Sequence, residues 1–277
     1  MIKGIKDLQK KANLFRQEAL KMMHEAGSGH PGGTLSAVEI ITVLYFQIMR
    51  HNPKNPKWED RDRFVLSKGH ASACLYAVLA ECGYFSKQVF HGFRKINSML
   101  QGMVEPRRTP GIETASGSLG HGLSEGLGMA LGLRYLKKNC HVFVLLGDGE
   151  IQEGQIWEAA MAASHFKLDN LTAILDYNRF QVDGPVAQVM NIEPLIDKWY
   201  SFGWATIEVD GHNIEELVRA FKEACSIKRK PTIIIANTVK GKGVSYMENS
   251  PVWHGTRVPD RDELAQAMAE LKGALNE

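Results

Sequence analysis

The chain has 277 residues and a formal net charge of +2, with 33 lysine and arginine residues set against 31 aspartate and glutamate residues. This length suits one large α/β domain with a buried core, so we expect a single domain over residues 1–277. The sequence has no basic cluster, no apolar stretch near the roughly 20 residues of a membrane span and no CxxC pair, which favours a cytoplasmic protein without nucleic acid or membrane partners.

The first half of the chain is predicted to be mainly helical. Apolar residues recur at helical spacing in four segments, residues 9–26, 34–49, 71–83 and 89–97. A glycine-rich turn separates the first two helices, and a polar, proline-bearing loop over residues 52–63 precedes the third. Residues 100–117 are predicted to form a loop.

Strands and helices alternate in the second half. Apolar runs predict buried strands at residues 141–146, 171–175, 205–209 and 232–239. Helices are predicted at residues 118–138, 155–166, 213–227 and 260–275, the last of them exposed and amphipathic. This alternation predicts the α/β class, a doubly wound parallel sheet with helices on both faces.

Two loops that follow predicted strands carry oxygen ligands. Asp148 lies between Gly147 and Gly149 directly after the first strand, and Asn178 follows the second strand. Ligands of doubly wound sheets bind at the carboxyl ends of the strands, and one strand-helix-strand unit separates the two residues, so both can reach one ion. Mg²⁺ prefers a few protein oxygens together with substrate phosphates. The pair therefore predicts a magnesium-phosphate site.

A glycine-rich segment at residues 27–32 formally satisfies GxGxxG, the dinucleotide-binding fingerprint. That fingerprint requires a preceding strand, whereas here a predicted helix ends at Ala26 and Gly27 occupies the position of a helix C-cap. The segment also nearly fits a Walker loop, but glycine stands where the phosphate-binding lysine belongs. Both a dinucleotide dehydrogenase and an ATPase are disfavoured.

Several motifs together resemble the transketolase family. Gly147-Asp148-Gly149 followed by Asn178 resembles the thiamine diphosphate (ThDP) binding motif. Further matches, in transketolase order, are Ser28-Gly29-His30-Pro31-Gly32, Ser67-Lys68-Gly69-His70, Gly117-Ser118-Leu119-Gly120 and Gly241-Lys242-Gly243 with a later His254-Gly255. The resemblance covers nearly the whole chain and implies the diphosphate-binding domain of the ThDP-binding fold.

The resemblance also implies roles for individual residues. Asp148, Asn178 and the carbonyl of Phe180 would hold Mg²⁺, although Ca²⁺ would also suit these ligands. The cofactor-binding residues would be His70, Gly117, Ser118, Leu119, Asp148, Gly149, Asn178 and His254. His30 would face the substrate and, with His70 and His254, would move protons on sugar hydroxyls. Glu153 and Glu158 match acidic residues at the family's dimer contact, where they link its two sites.

This resemblance further implies an N-terminal subunit of a split transketolase. The pyrimidine-binding and C-terminal domains of the family would lie on a separate subunit, in an α2β2 assembly that transfers a two-carbon ketol unit between sugar phosphates. A glutamate of the pyrimidine-binding domain helps to activate the cofactor, so the chain alone should be inactive. Two alternatives remain open: a subunit of another ThDP enzyme, of 2-oxoacid dehydrogenase or deoxyxylulose phosphate synthase type, or a non-catalytic ThDP-binding protein.

Two positions depart from the family pattern. Met103 stands where the family usually has a histidine that contacts the donor sugar, and a thioether cannot bond a hydroxyl as imidazole does. The usual range of ketose phosphates is therefore in doubt, and Arg107 or Arg108 nearby could serve an unusual anionic substrate or could be solvated loop residues. His121 stands where many relatives have glutamine, a change compatible with the family.

Overall fold

A five-stranded parallel sheet forms the centre of the structure, a computed structural model that describes residues 4–274. The strands are β1 (Arg63–Leu66), β2 (Val142–Gly147), β3 (Leu171–Tyr177), β4 (Phe180–Gln181), β5 (Gly184–Pro185), β6 (Ala205–Asp210) and β7 (Thr232–Asn237). The main sheet has the order β1-β2-β3-β7-β6, and β4 and β5 form a separate antiparallel pair. The four predicted strands are confirmed, with ends shifted by at most two residues.

Ten α-helices surround the sheet in the described part of the chain. They are α1 (Ile5–Ala26), α2 (Pro31–Ser36), α3 (Val38–Val43), α4 (Ser72–Cys82), α5 (His121–Tyr135), α6 (Gly154–His165), α7 (Val186–Val189), α8 (Leu195–Ser201), α9 (Ile214–Ser226) and α10 (Arg261–Gly273). Between residues 4 and 274, none of the helices combines the length and the apolar composition that crossing a membrane requires. The predicted helix over 260–275 extends past the described residues.

Two apolar cores lie on opposite faces of the sheet. Phe143 and Leu145 of β2 pack into one core with α1, α3, α4 and α9, whereas Val142 and Val144 pack into the other with α5, α6 and α8. Successive strand residues point to opposite faces, and both sets are buried, which explains the continuous apolar run of β2. The prediction of a doubly wound parallel sheet with helices on both faces is confirmed.

The strand register brings three loops to the same level of the sheet. Gly147 at the end of β2 pairs with Asp176 of β3, and Tyr177 at the end of β3 pairs with Asn237 of β7. Because these strands are parallel and adjacent, the segments that follow them emerge side by side at one edge. This edge positions the candidate site.

The predicted helix over 34–49 is wrong as one element. It is divided at Ala37 into α2 and α3 and ends in a π-helical turn at Leu44–Ile48. The Gly33 carbonyl, which would accept the Ala37 N–H in a continuous helix, instead accepts hydrogen bonds from Lys68 Nζ (2.9 Å) and Ser36 Oγ (3.2 Å). A tertiary contact thus overrides the local helical pattern.

The other differences concern short elements. β1 is absent from the sequence-based prediction because four residues are too few to show a period. Only a 3₁₀ turn, Lys87–Gly92, forms in place of the predicted helix over 89–97, since Arg94 and Asn97 have φ values of 60° and 62°. No element was predicted in the segment that forms β4, β5, α7 and α8.

Close packing of α5 on β2 gives a stability test. A Cβ atom on Gly126 would lie 2.4 Å from Val144 Cγ2, whereas one on Gly128 would have no atom within 4 Å. Gly126→Ala should lower the free energy of unfolding by about 1–3 kcal/mol, because the buried valine cannot yield without strain. Gly128→Ala, the matched control, should raise it by up to ~1 kcal/mol through helix propensity. Urea denaturation measures the free energy of unfolding of both variants. Equal changes in the two variants would contradict the close packing of Gly126 against Val144.

Candidate active site

A cavity of about 160 Å³ opens at the carboxyl ends of β2, β3 and β7. It is lined by Lys68, His70, Leu119, Gly147, Asp148, Gly149, Glu150, Asn178, Phe180, Gln181, Val182, Asp183, Lys240 and His254. The lining combines hard oxygen atoms with lysine and histidine side chains. The structure therefore brings together the predicted residues Asp148, Gly149, Asn178, Phe180, His70, His254 and Leu119.

The carboxylate of Asp148 connects the loops after β2 and β3. Its oxygens accept hydrogen bonds from the backbone N–H groups of Gly149 at 2.8 Å and Arg179 at 2.5 Å. Asn178 Oδ1 accepts the N–H of Phe180 at 3.2 Å. Burial raises the pKa of Asp148 to about 6, and the nearby negative charge of Asp176 adds to this effect. A buried carboxylate in this position favours a bound cation.

Lys240 enters the same cavity from the segment after β7. Its ammonium donates to the carbonyl of Phe180 at 2.9 Å and to His254 Nδ1 at 2.7 Å. Since an ammonium can only donate, Nδ1 of His254 is an acceptor. Burial lowers the pKa of Lys240 to about 8, against the opposing effect of Asp148. The carbonyl predicted as a metal ligand thus already contacts a cation.

Three histidines face one another beside the lysine. The ring centroids of His30, His70 and His254 lie 5.4 to 6.0 Å apart. Burial lowers the pKa of His30 to about 4 and that of His254 to about 3, and nearby lysines add to both effects. The pKa of His70 is also well below its ordinary value, for the same reasons. All three imidazoles are therefore neutral at pH 7 and can accept or relay a proton.

His30 has an unsatisfied buried atom. Its Nδ1 has no hydrogen-bond partner in the described part of the chain. Buried polar atoms are normally paired, so an unpaired ring nitrogen at a site is a candidate contact for a ligand. The His30 ring packs against Gly255. A Cβ atom at residue 255 would lie 2.5 Å from His30 Cδ2, so the glycine leaves room for the ring.

A fully buried ion pair lies beneath the cavity. Lys68 Nζ contacts Asp176, and both side chains have 0% exposure. Asp176 also accepts hydrogen bonds from the hydroxyls of Ser36 (2.6 Å) and Thr238. Burial alone would raise the pKa of Asp176, but Lys68 and these hydroxyls outweigh that effect and lower it. Asp176 is therefore ionised, with Lys68 as its counter-ion.

Glu150 fixes the segment that carries Leu119. Its oxygens accept hydrogen bonds from the N–H groups of Gly120 and Gly147, each at 2.9 Å, and from the hydroxyl of Ser67. Burial raises the pKa of Glu150 despite these three bonds. The carboxylate thereby joins the loops after β1 and β2 to the N-terminus of α5.

The remaining predicted residues lie outside the cavity lining. Gly117 and Ser118 are exposed on its rim, next to Leu119, with Gly117 at a φ of 136°. Glu153, just before α6, and Glu158, within it, are exposed. Sequence reasoning assigned no role to Lys68, Glu150 or Lys240. Lys240 could have been found by the rule that located Asp148, since it follows a strand at the same edge.

Met103 packs beside the rim. A Cβ on Gly69 would lie 3.1 Å from the Met103 sulfur, and one on Gly117 would lie 3.8 Å from its Cγ. Arg107 and Arg108, predicted as possible contacts for an anionic substrate, line a separate cavity with Lys54 and Lys57.

Arg94 is the arginine whose charge acts on His30. Its guanidinium carbon would lie 3.1 Å from a Cβ on Gly102.

A family described as "Transketolase, thiamine diphosphate binding domain" matches residues 8–273. The chain is 43% identical over 266 residues to a 6-deoxy-6-sulfo-D-fructose transketolase subunit of Clostridium sp. (strain MSTE9), covering 96% of both chains. It is 43% identical over 265 residues to an apulose-4-phosphate transketolase subunit of Phocaeicola vulgatus, covering 96% of this chain and 93% of that protein.

Solved transketolase structures have the same fold. The transketolase of Campylobacter jejuni superposes with a TM-score of 0.93 at 34% identity, over 98% of this chain and 43% of that one. The chain thus spans less than half the length of that solved transketolase.

The Lys68–Asp176 pair yields a sharp prediction. Lys68→Met should lower the free energy of unfolding by about 3–5 kcal/mol, because it leaves a buried carboxylate without its counter-ion. Lys242→Met is the matched control, since Lys242 forms a 3.5 Å ion pair with Glu248 in which both side chains are about one-third exposed. Lys242→Met should lower the free energy of unfolding by less than about 1 kcal/mol. Chemical denaturation at pH 7 measures the free energy of unfolding of both variants. Similar decreases in the two variants would contradict the stabilising role of the buried pair.

Proposed function

Because the chain belongs to the transketolase family through its thiamine diphosphate-binding domain, we propose that it is the N-terminal subunit of a two-subunit transketolase. The observation that carries this proposal is the cavity in which Asp148, Asn178, Lys240 and two histidines meet at three strand ends. The relatives named above are transketolase subunits, which favours this activity over another ThDP enzyme or a non-catalytic protein.

The residues of the cavity fit a magnesium diphosphate group. Asp148, Asn178 and the Phe180 carbonyl offer hard oxygen atoms, the ligand type that Mg²⁺ prefers. Within residues 4–274 no three His, Cys, Asp or Glu side chains are grouped to hold a metal ion, so amide and carbonyl oxygens would complete the set. Lys240 supplies positive charge for the phosphates. Ca²⁺ would suit the same oxygen atoms.

Thiamine diphosphate, when bound, supplies the chemistry for breaking and forming a carbon–carbon bond next to a ketose carbonyl. The chain's own residues would anchor and orient it. Asp148 and Gly149 would hold its diphosphate end, and Gly117, Ser118 and Leu119 on the rim would flank the aminopyrimidine. His30, His70 and His254 are neutral and face one another, so they suit proton transfer to and from sugar hydroxyls.

A second subunit would complete the enzyme. The two relatives of nearly equal length carry the word subunit in their names, which supports a partner that bears the pyrimidine-binding and C-terminal domains. Glu153 and Glu158 are exposed at the start of α6 and within it, and they would contact the partner subunit. We propose an α2β2 assembly in the cytoplasm. This chain would then form a single domain.

The substrate would be a ketose with an anionic group. One relative is named for a sulfonated fructose and the other for apulose 4-phosphate, so both names describe anionic ketoses. The thioether of Met103 next to Gly69 and Gly117 gives this part of the rim an apolar surface. That surface favours a donor other than xylulose 5-phosphate.

Reconstitution tests the proposed activity. Ketol transfer to ribose 5-phosphate would be measured with ThDP and Mg²⁺ for this chain alone and for the chain mixed with the pyrimidine-domain subunit. The donors would be xylulose 5-phosphate, 6-deoxy-6-sulfofructose and apulose 4-phosphate. Activity should occur only in the mixture. Full activity of the single chain, or no transfer from any donor by a mixture that binds ThDP, would contradict the proposal.

Asp148 allows a test of the metal site. The pKa of Asp148 in the fold is about 6, above the ordinary 3.8, so its contribution to stability is complete below pH 3.8 and is lost as the pH rises through 6. Without divalent metal at pH 8, Asp148→Asn should therefore match or exceed the wild type in melting temperature. Adding Mg²⁺ and ThDP should raise the melting temperature of the wild type but not that of the variant.

Asp197→Asn is the control for this experiment, because Asp197 is an exposed aspartate on α8. It should keep the full response to Mg²⁺ and ThDP in thermal unfolding. A response of Asp148→Asn equal to that of Asp197→Asn would exclude Asp148 as a ligand.

A further inference from the structure

A second cavity, of about 470 Å³, lies between two surface loops. One loop contributes Lys54, Lys57 and Arg61, and the other contributes Arg107 and Arg108. Among the described residues no acidic side chain lines it, although the whole chain has nearly equal numbers of basic and acidic residues. This cavity, called the basic cavity below, concentrates one sign of charge in a concave surface, which focuses the electrostatic field.

Four of these cations are free to bind a ligand. Within residues 4–274, the side chains of Lys54, Lys57, Arg107 and Arg108 form no ion pair and no hydrogen bond. All four are exposed. The cavity therefore retains the positive charge of these side chains in the folded chain.

The acidic residues nearest in sequence do not line the basic cavity. Glu105 accepts the Arg107 N–H on its carboxylate at 3.0 Å. Glu113 pairs with Arg61 at 2.6 Å and with Arg63 at 3.6 Å, so one carboxylate serves two guanidinium groups. Glu59 and Asp60 pair with Lys138. None of these four carboxylates belongs to the lining of the basic cavity.

Both loops are held in place by their own contacts. Thr109 is buried, and its hydroxyl donates to the Met99 carbonyl. The Glu105 carbonyl accepts the N–H groups of Arg108 at 3.2 Å and Thr109 at 3.1 Å. In the facing loop, the Trp58 carbonyl accepts hydrogen bonds from Arg61 Nη1 and the Arg61 N–H. Preorganised backbones reduce the entropy that binding would cost.

We propose that the basic cavity binds a small polyanion with two or three phosphate groups. Its volume falls in the range of small-molecule sites, roughly 300–1,000 Å³. Cations on both walls favour a ligand with several charges over a single phosphate, and two arginines offer bidentate contacts to phosphate oxygens.

The basic cavity is joined to the candidate active site by one loop. Val104 and Ser116 close the base of this loop through two hydrogen bonds, from the Ser116 N–H to the Val104 carbonyl (3.1 Å) and from the Val104 N–H to Ser116 Oγ (3.2 Å). The residues just outside that base are Met103 and Gly117, both at the rim described above. A polyanion held by Arg107 and Arg108 would thus bind to the tip of a loop whose ends lie at the rim.

Calorimetric titration with inorganic triphosphate, in buffer free of divalent cations, tests the proposal on the full chain. The double variant Lys57→Gln with Arg108→Gln should weaken binding at least tenfold. The matched control, Arg219→Gln with Lys222→Gln, removes one exposed arginine and one exposed lysine of α9 and should bind within twofold of the wild type. Both double variants change surface residues. Their unfolding midpoints, compared with that of the wild type, show whether they fold.

A third variant separates the basic cavity from the candidate active site. Lys240→Met removes a cation of the active site and should leave a triphosphate binding event of wild-type affinity. Loss of all binding in Lys240→Met would show that the probe occupies the active site and would overturn the proposal. Equal weakening in both double variants, or no binding by the wild type, would overturn it as well.

Discussion

The buried contact between Lys68 and Asp176 is the interaction on which the rest of the site depends. Four chain segments meet there: Lys68 after β1, Ser36 on α2, Asp176 in β3 and Thr238 after β7. A carboxylate without exposure to water is tolerated only because an ammonium and two hydroxyls compensate it. The same ammonium takes the Gly33 carbonyl out of the helical pattern and so separates α2 from α3. The fold around the site is therefore fixed by polar contacts, and the two apolar cores supply the sheet on which they are built.

Burial acts in opposite directions on the two charged residues nearest the proposed phosphate site. It raises the pKa of Asp148 to about 6 and lowers that of Lys240 to about 8, so each residue is held closer to neutrality than it would be in water. A divalent cation beside Asp148 and an anionic diphosphate beside Lys240 would each supply the missing counter-charge. Neutral histidines in the same cavity add hydrogen-bonding atoms without a competing positive charge. The electrostatics thus favour a metal–diphosphate group over either component alone.

Sequence reasoning predicted the sheet, its parallel direction and the loops that form the site, because long buried strands followed by Asp148 and Asn178 are local patterns. It could not predict β1, whose four residues are recognisable only by their pairing with β2. The division of the helix at Ala37 could not be predicted either, because it depends on a hydrogen bond from Lys68, which lies in a distant segment of the chain. Lys68 had no assigned role because a lysine in sequence has a solvated side chain by default, and only tertiary packing shows it buried. Lys240 directly follows a predicted strand, so the rule that located Asp148 could have assigned it to the site.

The part of the site at the strand ends is buried, whereas the rim is exposed. This difference indicates that the two parts have different roles. Asp148, Asn178 and Lys68 are buried at the strand ends, and Lys68 has Asp176 of the same chain as its counter-ion. Leu119 and Val182, which also line the cavity, are 38% and 56% exposed, and Gly117 and Ser118 next to Leu119 are exposed as well. A ligand anchored by its phosphates would therefore leave its other end at an apolar, open rim. We infer that this chain supplies the anchoring half of the site and that a second surface encloses the reacting half.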